Sequence, residues 1–303
     1  MLLVILAVVA ATGLGVVAEH RADSAQTAAR WILTLMLYVL VPFVAFVSFV
    51  HLHLSLGGGV GLGVAYLGIG IAGLLAWWAG HRLNLEGPAL GGLICTVILV
   101  NTGYLGVPMA VVVFGSHALS KAVAYDQVVS GPMVYTVGFG IGAAFGTRGS
   151  GGRGERLRAF LTRNPPLLAV VAGLLAPAAA APPVLVHAAH VVVDVMLVIG
   201  FFAVGVYLSS ERRDDAAPLL ERPDRPVTVA LGLRFLINPV LLALVSAVGV
   251  AIPSVYLLQA AMPTGINSLI VGHAFGLDQR LIATIIVWST IVVLAGGLIF
   301  YLA

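Results

Sequence analysis

The sequence predicts an all-α polytopic membrane protein built from ten transmembrane helices. Of its 303 residues, 60% are hydrophobic and 9% are charged, whereas soluble domains carry about 25% charged residues. The apolar residues form ten runs, each close to the roughly 20 residues that a helix needs to cross a bilayer. The basic residues lie mainly in the loops between these runs, so the net charge of +3 indicates no nucleic-acid partner.

Each run is bounded by charged residues or by proline and glycine. No charge precedes Glu19, so the first run is expected to be a retained helix rather than a cleaved signal peptide. Prolines crowd the sixth run. The sequence has one cysteine, Cys95, which lies in the fourth run and can form no intramolecular disulfide. The predicted spans are 1–19, 30–50, 60–80, 89–115, 119–146, 164–181, 184–209, 226–248, 252–276 and 279–302.

The basic residues predict the orientation of these spans. Apart from Lys121 and Arg234, every lysine and arginine falls in loops on one side of the ten-span arrangement. Basic loops face the cytoplasm. We therefore expect a multi-pass protein of the cytoplasmic (plasma) membrane with both termini outside.

The chain divides into two sets of five spans. Residues 1–146 form the first set, a basic linker occupies 147–163, and 164–303 form the second set. Because five is odd, the second set enters the membrane upside down relative to the first. The sequence therefore predicts an inverted repeat.

A polar, proline-containing stretch interrupts the fourth span of each set. The first reads Asn-Thr-Gly-Tyr-Leu-Gly-Val-Pro over 101–108, and the second reads Met-Pro-Thr-Gly-Ile-Asn over 262–267. Proline lacks an N–H and crowds the preceding turn, so each span should split into two half-helices. Breaks of this kind are tolerated in a membrane where they line a cavity, and paired breaks are typical of the binding sites of secondary transporters.

The exposed N–H groups at half-helix N-termini favour an anion such as a carboxylate. The candidate substrate-binding residues are Asn101, Thr102, Gly103, Tyr104, Pro108, Pro263, Thr264, Gly265, Asn267 and Ser268.

The two interrupted stretches resemble the fourth-helix and ninth-helix signatures of the auxin efflux carrier family. In the second half, His273-Ala274-Phe275-Gly276-Leu277-Asp278 continues that resemblance. It implies a fold similar to that of bile acid/sodium symporters, with a scaffold of spans 1, 2, 6 and 7 and a moving core in which broken helices 4 and 9 cross. It also implies that Asn101, Pro108, Pro263 and Asn267 lie at the crossing. Members include plant auxin exporters and bacterial carriers of malonate and malate. The long central loop of the plant exporters is missing here.

Three ionisable residues fall within predicted spans, where each costs about 3 kcal/mol or more unless it is paired or hydrated. Asp126 is a candidate for proton coupling or gating, with a hydrated helix cap or a structural ion pair as the alternative. Asp194 is a second candidate, although its predicted scaffold position favours a structural role. Arg234 is expected either to attract anions at the inner vestibule or to snorkel to the interface.

The leading interpretation is a secondary transporter for small organic anions, with proton or sodium coupling left open and a homodimer as a further expectation. A sodium-coupled symporter is the alternative. A channel and a membrane enzyme that pairs Asp126 with Asp194 are less favoured. No cofactor is expected. The histidines at 51, 53, 187 and 190 cluster at predicted outward helix ends, where interfacial positions are favoured over a metal site.

Overall fold

The protein is described by a computed structural model that covers residues 2–51, 59–149, 152–210 and 222–302. Within these ranges the chain is helical, and its β-structure is a single bridge between Val100 and Thr264. Six helices are long and apolar enough to cross a membrane, and shorter apolar helices accompany them. The chain is therefore an all-α, multi-pass membrane protein.

The helices follow the predicted apolar runs closely. In the first half they are α1 (Leu2–Arg21), α2 (Ala25–Val50), α3 (Gly59–Arg82), α4 (Gly87–Ile98), α5 (Thr102–Phe114) and α6 (Ser116–Phe145). The linker contains α7 (Arg153–Thr162). The second half contains α8 (Pro165–Leu175), α9 (Pro183–Ser209), α10 (Arg225–Ala247), α11 (Ser254–Ala260), α12 (Asn267–Phe275) and α13 (Gln279–Leu302).

The sixth predicted span is shorter than expected. The prediction was 164–181, but α8 ends at Leu175 after 11 residues. At 1.5 Å per residue such a helix is about 16 Å long, roughly half the thickness of the hydrocarbon core. Pro177 explains the early end, because the residue before a proline is pushed out of the helical conformation, and Ala176 is extended with ψ 145°.

Both predicted interruptions are present, but Pro108 is not the residue that breaks the first one. The helix stops at Ile98, and residues 99–101 are non-helical, seven or more positions before Pro108. A π-helical turn over Thr102–Gly106 precedes this proline, with Gly106 N–H bonded to Asn101 O at 3.0 Å. A wider turn of this kind accommodates a residue without an N–H, so Pro108 lies inside α5.

The most extensive helix packing occurs in three pairs, and each pair joins the two halves of the chain. α1 packs on α9, α8 packs on the second part of α2, and α3 packs on α10. In the α1–α9 pair the backbones approach closely at Gly15 and Gly205. A Cβ atom added at Gly15 would lie 2.1 Å from Phe202 O, and one at Gly205 would lie 2.1 Å from Thr12 O.

The linker is tied to the end of α12. Arg148 Nη1 donates to His273 O at 2.7 Å, and Arg163 Nη1 donates to Ala274 O at 3.0 Å. These carbonyls belong to the last turn of α12, where the helix dipole favours a cation. The linker arginines therefore stabilise the C-terminal end of the second broken segment.

Candidate functional site at the helix crossing

The two non-helical segments meet and pair with each other through their backbones. Asn101 N–H donates to Pro263 O at 2.8 Å, and Gly265 N–H donates to Leu99 O at 2.8 Å, around the antiparallel bridge between Val100 and Thr264. These two bonds satisfy backbone groups that the broken helices leave free at membrane depth. The crossing is therefore a short two-stranded pairing between four half-helices.

Gly265 allows this close approach. A Cβ atom at this position would lie 3.0 Å from Val100 O and 3.1 Å from Val100 C. Contacts this short with backbone atoms require the backbone itself to move. A larger residue at 265 would push the two segments apart.

Two of the predicted substrate-binding hydroxyls are instead bonded to the protein. Thr264 Oγ1 donates to Thr96 O at 2.8 Å, and its N–H donates to Ser289 Oγ at 3.1 Å. Ser268 Oγ donates to Cys95 O at 3.4 Å. Thr264 and Ser268 are fully buried. Both side chains hold α12 and its preceding segment against α4.

A cavity of about 80 Å³ lies beside the crossing. Its polar lining comes from both halves of the chain: Asn101, Gly103, Tyr104, Asp126, Ser130, Tyr135, Gly265 and Asn267. Asn101 and Asn267 flank the start of α5 and α12 respectively. The first turn of each helix has N–H groups without intrahelical acceptors, so both N-termini contribute partial positive charge near the cavity.

Asn101 has an unusual environment within this cavity. The residue is 1% exposed, yet neither Oδ1 nor Nδ2 has a hydrogen-bond partner among the described residues. Ser130 Oγ, on a residue that lines the same cavity, is likewise buried and unbonded within the described chain. An amide that bonds to no described residue can donate to and accept from a molecule in the cavity.

Asp126 lies beside the N-terminus of α5. Its Oδ1 accepts a hydrogen bond from Thr102 Oγ1 at 2.5 Å. The same carboxylate lies beside Gly103, where an added Cβ would be 3.2 Å from Oδ1. Asp126 thus occupies the cavity wall next to one of the two helix N-termini, and the N-terminus of α12 has the neutral Asn267 beside it.

Arg234 takes neither of the two positions expected from the sequence. It is 1% exposed, which excludes snorkelling, and it is bonded to the backbone at the crossing instead of lining a vestibule. The physical reason is local, because broken helices expose carbonyls that need donors. The sequence prediction did not anticipate where those carbonyls point.

The structure does not bring Asp194 to the cavity. It is exposed on α9, whereas its neighbour Val193 lines the cavity. Among the histidines, His51 bonds through Nε2 to Ala181 O at 2.7 Å, and His53 lies outside the described residues. In the described ranges no three histidine, cysteine or acidic side chains are grouped to hold a metal ion.

A second cavity of about 110 Å³ adjoins the first, since Val44 and Val193 line both. The second cavity shares the lining residues His51 and His190 with a third, more open cavity. The three cavities therefore lie in a row between the crossing and the C-terminal end of α2. The sequence predicted neither this row of cavities nor the contribution of Ser130 and Tyr135, because neither residue belongs to an interrupted segment.

Comparison with known proteins adds the family. Residues 157–301 match the family model described as membrane transport protein. The predicted resemblance to the auxin efflux carrier family is confirmed. The chain is also 27% identical over 230 residues to an uncharacterized transporter from Methanothermobacter thermautotrophicus, covering 73% of this chain and 70% of that protein. It is 26% identical over 242 residues to an uncharacterized transporter from Methanocaldococcus jannaschii, covering 72% and 70%.

The family match and both relatives indicate a membrane transporter. The family match contains α12, which begins with Asn267, and the segment between α11 and α12, which supplies Pro263 and Gly265 to the crossing. A membrane transporter is not an enzyme, and the exposure of Asp194 gives no support to a catalytic pair with Asp126.

Proposed function

We propose that this member of the auxin efflux carrier family is a secondary transporter that moves small organic anions, carboxylates in particular, by alternating access at the helix crossing. The observation that carries the proposal is the buried, unbonded amide of Asn101 at a cavity beside two helix N-termini. An amide can donate to a carboxylate oxygen, and helix N-termini attract negative charge. A neutral or cationic substrate would make no use of those N-termini.

Alternating access requires two halves that can exchange roles, and the proposal therefore includes ten spans in two inverted repeats. The packing pairs support this architecture. α1 pairs with α9 and α8 with α2, which is the reciprocal pairing expected when spans 1 and 2 correspond to spans 6 and 7. The pair α3–α10 is its own counterpart, since these are the third spans of each half. The excess of basic residues in alternate loops supports a plasma-membrane protein with both termini outside.

Asp126 is the proposed coupling group. A carboxylate beside the substrate cavity repels an anionic substrate when it is ionised and can share a proton with it when it is neutral. Binding of the anion and binding of a proton therefore favour each other. The proposed transporter is therefore proton-coupled. Sodium coupling is the alternative, and the same assay tests it.

The test is uptake into proteoliposomes. Purified protein is reconstituted, and uptake of radiolabelled malonate, malate and acetate is measured with an inward proton gradient, with an inward sodium gradient and with neither. The proposal expects saturable uptake of at least one carboxylate that increases with the proton gradient. Uptake that rises linearly with concentration would indicate a channel. Uptake driven by sodium alone would establish the symporter alternative.

A further inference from the structure

Arg234 is a fully buried cation whose bonds all go to the backbone. It lies on α10, and Nε donates to Met262 O at 3.1 Å while Nη1 donates to Val97 O at 3.0 Å. Nη2 donates to Ala260 O. Within the described chain its hydrogen-bond partners are thus three main-chain carbonyls, with no carboxylate among them.

These carbonyls come from the ends of both half-helices that run into the crossing. Val97 lies in the last turn of α4, Ala260 is the last residue of α11, and Met262 lies two residues beyond it. The last carbonyls of a helix have no intrahelical donor, and a helix C-terminus carries roughly half a negative charge. Two such ends sum to about one negative charge, which the single positive charge of Arg234 balances.

The geometry suits arginine in particular. A guanidinium presents five donors in a rigid plane and cannot be deprotonated in a protein, so it can bridge carbonyls from separate segments while it stays charged. Several carbonyls that converge on one point can also coordinate an alkali cation. In this protein the side chain of Arg234 already occupies the cluster.

We propose that Arg234 is a tethered counter-cation that holds the two broken helices together as one unit and occupies the place that a bound sodium ion would otherwise take. It is a positioning residue, since it contacts the carbonyls behind the crossing and does not line the cavity. The proposal rests on the proposed function, in which the crossing carries the substrate. It predicts that transport requires no sodium at this carbonyl cluster.

The first test is chemical rescue of folding in detergent. Melting temperatures are measured for the wild type, Arg234→Ala and Arg225→Ala, each in 20 mM sodium, guanidinium or choline chloride. Arg225→Ala is the matched control, because it removes the same charge from the exposed first residue of the same helix. Arg234→Ala should melt about 5 °C or more below the control, since it leaves two helix ends unbalanced.

Guanidinium should restore at least half of the decrease in melting temperature that Arg234→Ala causes. Sodium should restore less of it, and choline should restore none. The melting temperature of the wild type should not follow this order among the three salts. Equal melting of Arg234→Ala and Arg225→Ala would overturn the proposal, as would identical responses of Arg234→Ala to guanidinium and choline. If Arg234→Ala yields no folded protein, Arg234→Lys and Arg234→Met are compared. Lysine should be the more stable of the two, and equal stability would overturn the charge argument.

The second test is uptake of the carboxylate that the wild type transports. Arg234→Lys keeps the positive charge but loses the planar set of guanidinium donors. The maximal rate of uptake should therefore fall about tenfold, with little change in the substrate concentration that gives half of that rate. Guanidinium should raise the rate of Arg234→Ala at least threefold. Unchanged transport in Arg234→Lys and Arg234→Ala would overturn the positioning role. If the wild type transports no carboxylate, the proposed function fails, and the melting experiment still decides the role of Arg234.

Discussion

The amide of Asn101 is buried beside the cavity, and neither of its polar atoms bonds to another residue in the described part of the chain. Asn164 provides the contrast. It is also fully buried, but Nδ2 donates to Tyr135 O at 2.6 Å and Oδ1 accepts from Leu167 N–H at 3.2 Å. Asn101 therefore has an amide that faces the cavity without a bond to the described chain, whereas the amide of Asn164 caps the N-terminus of α8.

Asn101→Ala and Asn164→Ala should therefore behave in opposite ways. Asn101→Ala should melt close to the wild-type temperature, because no described residue bonds to the amide, and it should reduce carboxylate uptake at least tenfold. Asn164→Ala should lose about 1–2 kcal/mol of stability through its lost cap and retain uptake. Thermal unfolding and proteoliposome uptake of both variants check this. Full uptake by Asn101→Ala would refute the site assignment.

Asp126→Asn tests coupling at the same cavity. The variant keeps an oxygen that can accept from Thr102 Oγ1, so the helix N-terminus remains bonded. It cannot release or take up a proton. Exchange of labelled for unlabelled substrate should continue, whereas uptake should no longer rise with an imposed proton gradient. Proton-driven uptake at the wild-type level in Asp126→Asn would remove Asp126 from the coupling mechanism.

Residue patterns in the sequence predicted the two interrupted segments, and the structure has breaks in both. The role predicted for Pro108 was wrong, because the helix is interrupted at residues 99–101 and the π-helical turn at 102–106 accommodates this proline within α5. The environment of Arg234 could not be predicted from the sequence, since three carbonyls from residues 97, 260 and 262 converge only after α4 and α11 have crossed. Residue patterns within a segment predict where a helix is interrupted, but they do not predict which distant side chains bond to the carbonyls at that interruption.

Among the elements, α1 shows most clearly how glycine sets helix packing. Gly15 lies where α1 touches the backbone of α9, while an added Cβ at Gly13 on the same helix would meet no atom within 4 Å. A methyl group is therefore accommodated at one position and not at the other.

Gly13→Ala and Gly15→Ala form a matched pair within one helix. Gly13→Ala should be neutral or stabilise the protein by up to about 1 kcal/mol through helix propensity. Gly15→Ala should destabilise it by about 1–3 kcal/mol, because the new carbon would lie 2.1 Å from Phe202 O and force the helices apart. Thermal unfolding of the two variants decides this. Equal melting temperatures would show that α1 and α9 do not pack as described.

At the scale of the whole molecule, the apolar runs predicted most helix positions because length and hydropathy are local properties. They overestimated α8, where proline ends the helix after 11 residues. The neighbouring cavities between the crossing and His51 depend on side chains from α2, α6 and α9, so no single segment of the sequence indicated them.

The position of these cavities predicts that a substrate reaches the crossing from the outer side in the described conformation. In a Cys95→Ala background, a cysteine at Ser48 should react with a membrane-impermeant maleimide added outside intact cells, because Ser48 lines the second cavity. A cysteine at Ser210, which follows α9 on the predicted inner side, should react only after the membrane is opened. Labelling of Ser210→Cys from outside would contradict the predicted orientation.

Carboxylate binding at the crossing is tested most directly by thermal unfolding of the purified protein with malonate, malate and acetate, repeated in Asn101→Ala. A ligand that binds only the folded state raises the melting temperature by mass action. The account predicts that at least one carboxylate stabilises the wild type, more strongly at low pH than at high pH, and does not stabilise Asn101→Ala. Stabilisation of both proteins to the same extent, or by neutral and cationic compounds alone, would contradict the anion site.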